Sequence, residues 1–295
     1  MIQELETKYN SLKAILSGMG SVVVGFSGGI DSTLLIRIAT ETLGDRALAV
    51  IGRSETYPTR EFEEAVPLAK SFGSRFQIVN TEEIDDLKFK ENPPDRCYFC
   101  KTELFGKLTS IATTEKIPWI ADGTIMDDLE DFRPGMRAKA EQGIRSPLLE
   151  AGFSKNDVRA LARELGIPNW DKQSFACLAS RFPYGHGITK ENLNKIDGAE
   201  TFLRDNGFRS FRVRHHDDRT ARIELGKEDF NRIFDEAFRT QLLNHFKQLG
   251  FIYVTLDLQG YRTGSMNEVL SDEIKSIENP SNDAPREAAQ REKDL

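Results

Sequence analysis

The sequence has only three cysteines in 295 residues, Cys97, Cys100 and Cys177. So few cysteines exclude a disulfide-stabilised secreted scaffold, which needs several bridges in a chain of this size. They favour a reducing compartment in which the thiols have a chemical role, so we predict a cytoplasmic protein. Residues 1–20 form an amphipathic helical pattern with early acidic residues, and this pattern is not that of a secretion signal.

Long apolar runs and excess basic charge are also lacking. No stretch of eighteen apolar residues occurs, so the sequence predicts no membrane-spanning helix. The formal net charge is −7 at pH 7, whereas a general nucleic-acid binder needs a basic surface. We therefore expect a small-molecule substrate, with neither general nucleic-acid binding nor a membrane partner.

What the sequence does contain is a regular alternation of strand-like and helical segments. Four apolar runs have the length of buried strands: 21–26, 47–51, 76–79 and 119–121. Three helical patterns lie between them: 33–43, 61–72 and 104–114. This alternation predicts an α/β fold with a doubly wound parallel sheet and right-handed crossovers.

The pattern changes after about residue 185, which predicts a second domain. Strand-like segments at 211–214, 221–225 and 253–258 surround a helical pattern at 229–249. We therefore expect an α/β domain at 1–185 and a smaller α+β domain at 186–270. Residues 271–295 are charged and poor in apolar side chains, which predicts a disordered tail.

A glycine-rich segment, Ser27–Ser32, follows the first predicted strand and opens the first predicted helix of the α/β domain. Gly28 and Gly29 let backbone N–H groups converge on phosphate oxygens, and the helix N-terminus adds partial positive charge. The alternative is an ordinary glycine turn, but the full pattern Ser-Gly-Gly-x-Asp-Ser in this setting favours an ATP site.

The polar side chains of this phosphate loop fit the same interpretation. Ser27 and Ser32 can donate hydroxyl hydrogen bonds to pyrophosphate, and Asp31 can hold a Mg²⁺ ion that bridges the phosphates. The loop lacks the Gly-Lys-Ser/Thr of a Walker loop, which argues against transfer of the γ-phosphoryl group. Gly123 follows a later strand at the sheet edge where α/β proteins bind ligands, so we expect it at the ATP site as well.

The loop resembles that of the PP-loop superfamily, whose fold is that of the adenine nucleotide α-hydrolases. Its members cleave ATP between the α and β phosphates, form an adenylated substrate and let a nucleophile displace AMP. The segment Asp122–Thr124, followed by Asp127 and Asp128, resembles a second segment of that superfamily.

The three cysteines leave several interpretations open. Cys97 and Cys100 form a C-x-x-C motif, which occurs in redox pairs and in zinc sites, and Cys177 alone could be a packing residue. Three thiolates also suit an iron–sulfur cluster. A [4Fe–4S] cluster on three cysteines leaves one iron open, which could deliver sulfide to an adenylated carboxyl group. A zinc ion with three cysteines and an external ligand stays as the alternative.

Longer segments resemble one branch of the superfamily, the LarE sulfur transferases. The matching segments are Phe26–Thr33, Asp131–Gly135, Asp157–Ala162, Ser180–Gly185, Arg212–Arg214 and Tyr253–Leu258. The resemblance implies an ATP-dependent sulfur transferase that forms AMP and pyrophosphate. Its substrate would be pyridinium-3,5-dicarboxylic acid mononucleotide, whose thiocarboxylates enter the nickel-pincer cofactor of lactate racemase. Homo-oligomers and other cofactor-pathway proteins as partners are also implied.

The resemblance implies roles for individual residues. Arg212 and Arg214 would bind the substrate phosphate, and as alternate residues of a strand they face one side. Ser180 and Arg133 would contact the substrate or its adenylate. Arg181 would neutralise a carboxylate or lower the pKa of Cys177.

A metal site in the C-terminal domain is implied at Glu200, to which Asp229 would contribute. Outside the resemblance, His215–Asp218 could suggest another metal site. Adjacent residues of a strand point to opposite faces, so we expect a surface turn there.

The source of sulfur differs within the family. Some members sacrifice a cysteine four residues before the Ser-Arg-Phe-Pro segment, and Ala176 occupies that position here, next to Cys177. Members with three cysteines are thought to use a [4Fe–4S] cluster, and this chain matches them. We therefore expect a cluster on Cys97, Cys100 and Cys177, with sacrifice of Cys177 as the alternative.

Other functions remain to be weighed. A tRNA thiolase should have a more basic surface or a zinc-ribbon cysteine set, and an amide-forming ligase needs an ammonia source; the sequence has none of these. A non-catalytic iron–sulfur or nucleotide sensor is the third possibility, and a pyrophosphate-release assay would separate it from an enzyme.

Overall fold

The computed structural model describes residues 3–129, 134–173, 176–262 and 264–271. A four-stranded parallel sheet has the order β3-β2-β1-β4. Its strands are β1 Val22–Gly25, β2 Ala47–Arg53, β3 Arg75–Asn80 and β4 Trp119–Ala121. The helices of this part are α1 Gln3–Met19, α2 Ile30–Leu43, α3 Thr59–Ser71, α4 Leu87–Lys90, α5 Arg96–Glu115, α6 Gly135–Glu141, α7 Pro147–Glu150 and α8 Lys155–Glu164. The expected α/β fold is confirmed.

A smaller sheet follows, in which β5 and β6 are antiparallel and β6 and β7 are parallel. Its elements are α9 Lys190–Asp205, β5 Phe211–Asp217, β6 Thr220–Leu225, α10 Glu236–Gln248 and β7 Tyr253–Leu256. The expected smaller α+β part is therefore present. Among the described residues, no helix combines the length and hydropathy needed to cross a bilayer.

The strands of the large sheet are rich in apolar residues, which explains why the sheet is buried between two layers of helices. Val22, Val23 and Val24 of β1 are fully buried, because helices cover both faces of a parallel sheet. Leu34, Leu35 and their neighbours on α2 pack on one face with α1 and α8, and α5 covers the other. The carboxyl ends of β1, β2 and β4 are left for a ligand.

The second core crosses the domain boundary expected at residue 185. Ile84, Phe89, Leu178 and Phe182 precede that boundary, yet they pack with α9 and the small sheet. The division at 185 stays a prediction, but packing joins these earlier residues to the C-terminal core.

Three local expectations were wrong. The helix expected at 104–114 begins at Arg96, so the C-x-x-C motif lies on its first turns. The helix expected at 229–249 is a 3-10 segment, Lys227–Phe234, followed by α10, which Asp235 caps by accepting the Phe238 N–H at 2.8 Å. His215 belongs to β5 and is 3% exposed, so the turn comes later, before β6.

Candidate functional site

The phosphate loop is held in shape by its own hydroxyl groups and by close packing. The Oγ atoms of Ser27 and Ser32 lie 3.1 Å apart, and Ser32 Oγ donates to the Gly29 carbonyl at 3.1 Å. Gly28 has φ = +71°, a conformation that favours glycine, and an added Cβ would lie 2.9 Å from that of Ala65. The loop is therefore preformed, with its backbone next to the N-terminus of α2.

Gly123 lies directly against this loop. A Cβ at Gly123 would be 2.8 Å from Ser32 N, so only glycine lets the two segments approach this closely. The structure thus brings Gly123 to the predicted ATP site.

A lysine that sequence reasoning missed is paired with the acidic residue of the loop. Lys155 Nζ lies 2.6 and 2.8 Å from the two carboxylate oxygens of Asp31. Lys155 is the first residue of α8, whose start is fixed by a capping box between Ser154 and Asp157. Its backbone N–H also donates to Asp127 at 2.8 Å. A lysine at the polar start of a helix is common, so no local sequence signal marked Lys155 as a residue of the site.

One cavity of about 620 Å³, which we call the chamber, connects the loop with the cysteines. Its lining includes loop residues, acidic side chains, basic side chains and all three thiols: Ser27, Gly29, Asp31, Ser32, Glu61, Glu83, Arg96, Cys97, Cys100, Lys101, Gly123, Lys155, Lys172 and Cys177. The phosphate loop and the three thiols therefore face the same space.

The three cysteines are half-buried and none is in a disulfide. Cys97 and Cys100 lie three residues apart on α5 and so share a helix face. Cys177 comes from the loop before the 3-10 segment Leu178–Arg181. Burial raises the pKa of Cys100, and Glu83 and the other two cysteines add to the rise. A cation in the chamber would favour the thiolate.

The two arginines of β5 differ in their partners. Arg214 is 5% exposed and forms a bidentate pair with Glu224 at 2.9 and 2.7 Å. It also donates to the Ser180 carbonyl at 3.0 Å. Arg212 has no ion-pair partner in the described part of the chain, and its guanidinium lies 5.0 Å from the ring centroid of Tyr261. Burial and nearby Arg181 lower the pKa of Arg212. Of the pair, Arg212 has the uncommitted charge.

Comparisons with known proteins agree with these features. A sequence model described as NAD synthase matches residues 4–103. The pyridinium-3,5-bisthiocarboxylic acid mononucleotide synthase of Lactiplantibacillus plantarum is 43% identical over 271 residues, covering 90% of this chain and 96% of that protein. An uncharacterised protein of Synechocystis is 40% identical over 267 residues, covering 90% of this chain and 99% of its own. GMP synthase of Chlamydia caviae is 26% identical over 204 residues, covering 63% of this chain and 38% of that protein.

The chain belongs to the LarE family. The match extends over most of both chains. Membership makes the protein an ATP-dependent enzyme of the PP-loop superfamily. The expected family is confirmed.

A direct chemical role was expected for Arg181 because it lies close to Cys177 in the sequence, and the structure gives it a buried partner. Arg181 is fully buried and pairs with Glu200 at 2.9 and 2.8 Å. Its Nη1 donates to the carbonyls of Ala176 at 2.7 Å and Cys177 at 3.1 Å. Arg181 therefore fixes the backbone that carries Cys177.

The metal ligands expected from the LarE resemblance are not brought together. Both carboxylate oxygens of Glu200 accept from Arg181, and one also accepts the Val213 N–H at 3.0 Å. Asp229 pairs instead with Arg232 at 2.8 Å. Across the described ranges, no group of three His, Cys, Asp or Glu residues is arranged, as placed, to hold a metal ion.

The remaining LarE positions are placed as follows. Ser180 donates from Oγ to the Cys177 carbonyl at 2.8 Å, and its own carbonyl contacts Arg214. The structure thus joins the Cys177 loop to β5. Arg133 lies outside the described residues, so its expected contact with the adenylate stays a prediction.

Proposed function

We propose that the protein adenylates the carboxylates of pyridinium-3,5-dicarboxylic acid mononucleotide and replaces AMP by sulfur. The products would be thiocarboxylates for the nickel-pincer nucleotide cofactor of lactate racemase. The proposal is supported by the likeness to the bisthiocarboxylic acid mononucleotide synthase of L. plantarum. The observation that carries it is that the phosphate loop and three cysteines line one chamber.

In the first step a substrate carboxylate attacks the α-phosphorus of ATP and pyrophosphate leaves. Backbone N–H groups of the loop and the N-terminus of α2 stabilise the pyrophosphate. Mg²⁺ enters with ATP, and Asp31 is its proposed ligand, because Mg²⁺ is usually held by one or two carboxylates together with phosphate oxygens. With Asp31 engaged in this way, Lys155 would be available to bind the phosphates.

The substrate phosphate is assigned to Arg212 of β5. Arg212 supplies the free charge, whereas Arg214, paired with Glu224, holds Ser180 in place. We also propose that residues 186–270 form the substrate-binding domain and that 1–185 form the ATP domain.

In the second step sulfur attacks the carbonyl carbon of the acyl adenylate, and AMP leaves with its oxygen. We propose that Cys97, Cys100 and Cys177 hold a [4Fe–4S] cluster, which would supply sulfide when bound. A zinc ion, with Zn–S bonds near 2.3 Å, would need its thiolates about 3.8 Å apart. The placement of the described residues favours neither group, since no set of three His, Cys, Asp or Glu residues is arranged to hold a metal ion, and zinc stays the alternative. The donors suit the cluster in number and softness.

Anaerobic purification with iron and sulfide analysis and a visible spectrum tests the sulfur source. Wild type should show the absorbance of an iron–sulfur chromophore, and Cys97→Ala should lose it. A colourless, iron-free protein in which Cys177 loses the mass of H₂S after turnover, its sulfur having passed to the product, would contradict the cluster and favour sacrifice of Cys177. A wild type that releases no pyrophosphate with the mononucleotide and ATP would contradict the proposed reaction itself.

We also propose that the protein is a homo-oligomer located in the cytoplasm. Measurement of its size in solution would test the first point, and cell fractionation would test the second.

A further inference from the structure

Arg96 is a buried cation without a carboxylate partner. It is 5% exposed, and it immediately precedes Cys97 at the start of α5. Its Nη1 donates to Asn92 Oδ1 at 2.7 Å, while its buried Nε has no acceptor. None of the ion pairs formed by the described residues includes Arg96.

This is unusual among the buried arginines of the molecule. Arg181 pairs with Glu200, and Arg214 pairs with Glu224, each through two hydrogen bonds. A buried cation without a partner is costly unless an anion binds beside it. The unsatisfied Nε–H of Arg96 can therefore donate to an anion bound beside it.

The position is next to the thiols. The guanidinium carbon of Arg96 lies 5.1 Å from the ring centroid of Tyr184. Burial raises the pKa of Tyr184, and Arg96 opposes the rise. Arg96 and all three cysteines line the chamber.

The guanidinium is also held rigidly. Asn92 is fully buried, and its Nδ2 donates to the carbonyls of Phe182 at 3.3 Å and Pro183 at 2.7 Å. Its side-chain oxygen is thereby directed at Arg96. A preorganised donor binds an anion with little ordering cost.

We propose that Arg96 holds hydrosulfide beside the cysteines, as the sulfur anion that the transfer consumes. This inference rests on the proposed function. Hydrosulfide forms the C–S bond with the acyl adenylate, the C–O bond to AMP breaks, and the new thiol loses its proton. No oxidant or reductant is needed. The substrate phosphate and the ATP phosphates are assigned above to Arg212 and Lys155, so neither of these anions requires Arg96.

The test compares wild type with Arg96→Gln and Arg96→Lys under anaerobic conditions. We expect Arg96→Gln to raise the KM for sulfide about tenfold or more, because a charge-assisted hydrogen bond is lost. Arg96→Lys, which keeps the charge, should fall between. The KM values for ATP and the mononucleotide should change far less. Arg75→Gln, which removes an arginine exposed on the surface and paired with Glu115, is the matched control.

A second readout does not depend on turnover. Crystals soaked in bromide, used as a monoanionic probe, should show anomalous density near Arg96 Nε in wild type and none in Arg96→Gln. Arg96→Gln should also be no less thermostable without added anion, since it removes an unpaired buried charge.

The outcomes separate the possible roles. A rise in the KM for the mononucleotide with an unchanged KM for sulfide would assign Arg96 to a substrate carboxylate and overturn the proposal. A loss of thermostability with no bromide density in wild type would make Arg96 structural and also overturn it. If wild type releases no pyrophosphate, the proposed function fails, while the bromide result still decides whether Arg96 binds an anion.

Discussion

The ammonium group of Lys155 pairs with the carboxylate of Asp31 in the phosphate loop, with Nζ 2.6 and 2.8 Å from the two carboxylate oxygens. The pair occupies the place where Mg²⁺ and phosphate oxygens are proposed to bind. Each member would therefore exchange its present partner for a ligand group when ATP enters.

Lys155→Gln should slow pyrophosphate release roughly a hundredfold, since one cation that stabilises developing charge is lost. Lys155→Arg should recover part of the rate. Lys13→Gln, on the surface and paired with Glu41, is the control. An unchanged rate in Lys155→Gln, measured with saturating ATP, would remove Lys155 from the phosphate site.

Gly123→Ala should abolish ATP binding while leaving the protein folded. The added Cβ would lie 2.8 Å from Ser32 N, so the loop must shift. Gly106→Ala on α5 is the matched control, because nothing lies within 4 Å of its added Cβ. The control should stabilise the protein by roughly 0.5–1 kcal/mol. ATP binding can be followed by calorimetry, and normal affinity in Gly123→Ala would contradict the packing described.

Arg181→Met should destabilise the protein by about 3–5 kcal/mol, because it leaves the Glu200 carboxylate buried and unpaired. Adding Glu200→Gln to this variant should recover much of the loss. Urea unfolding of the two single variants and the double variant measures both effects. Additive losses would show that the pair is not coupled, and a metal-dependent stability that Glu200→Gln abolishes would favour the alternative metal role of Glu200.

The stability of the C-terminal core should fall at acidic pH because of His215. Its ring stacks on Phe182 at 4.8 Å, and both ring nitrogens are buried without hydrogen bonds. Burial lowers its pKa; Lys195 lowers it further, and Asp217 and Asp218 oppose this. The unfolded chain then binds the proton more readily, so stability is complete above about pH 6.5 and is lost as pH falls through the folded pKa.

His215→Phe should flatten this part of the pH dependence, and the exposed His216→Gln should leave it unchanged. Urea midpoints measured from pH 8 to pH 5 provide the comparison. The same slope in His215→Phe as in wild type would assign the acid sensitivity to other groups.

Arg212→Gln should raise the KM for the mononucleotide about tenfold or more, through loss of a charge-assisted phosphate contact. Arg214→Gln should mainly lower stability, because Glu224 is left buried without its partner. Steady-state kinetics and unfolding of both variants test this division. Equal effects on KM without loss of stability would show that both arginines bind the phosphate.

Local sequence predicted the fold and the phosphate loop because their signals are local. Apolar runs identified β1 and β2, and the glycines identified the turn into α2. The start of α5 was missed, since Arg96–Cys100 shows no clear helical period of apolar residues. Asp95 also precedes it without a side-chain cap.

Partners distant in sequence could not be predicted in the same way. Lys155 lies 124 residues from Asp31, and Arg214 lies 34 from Ser180. The family resemblance indicated a metal role for Glu200, whereas its pairing with Arg181 depends on how α9 packs against the Cys177 loop and has no local signal. The charge left unpaired at Arg96 is visible only when all the other pairs are known.

The residues that form the C-terminal core determine when, during translation, the surroundings of the cysteines can fold. Cys100 packs against that core, whose strands and α10 lie after residue 210. Domains fold largely as units during synthesis. The wall that holds Cys100 and Cys177 is therefore incomplete until nearly the whole folded chain has left the ribosome. We expect the cysteines to acquire any inorganic group only after translation, whereas the phosphate loop can form earlier on the nascent chain.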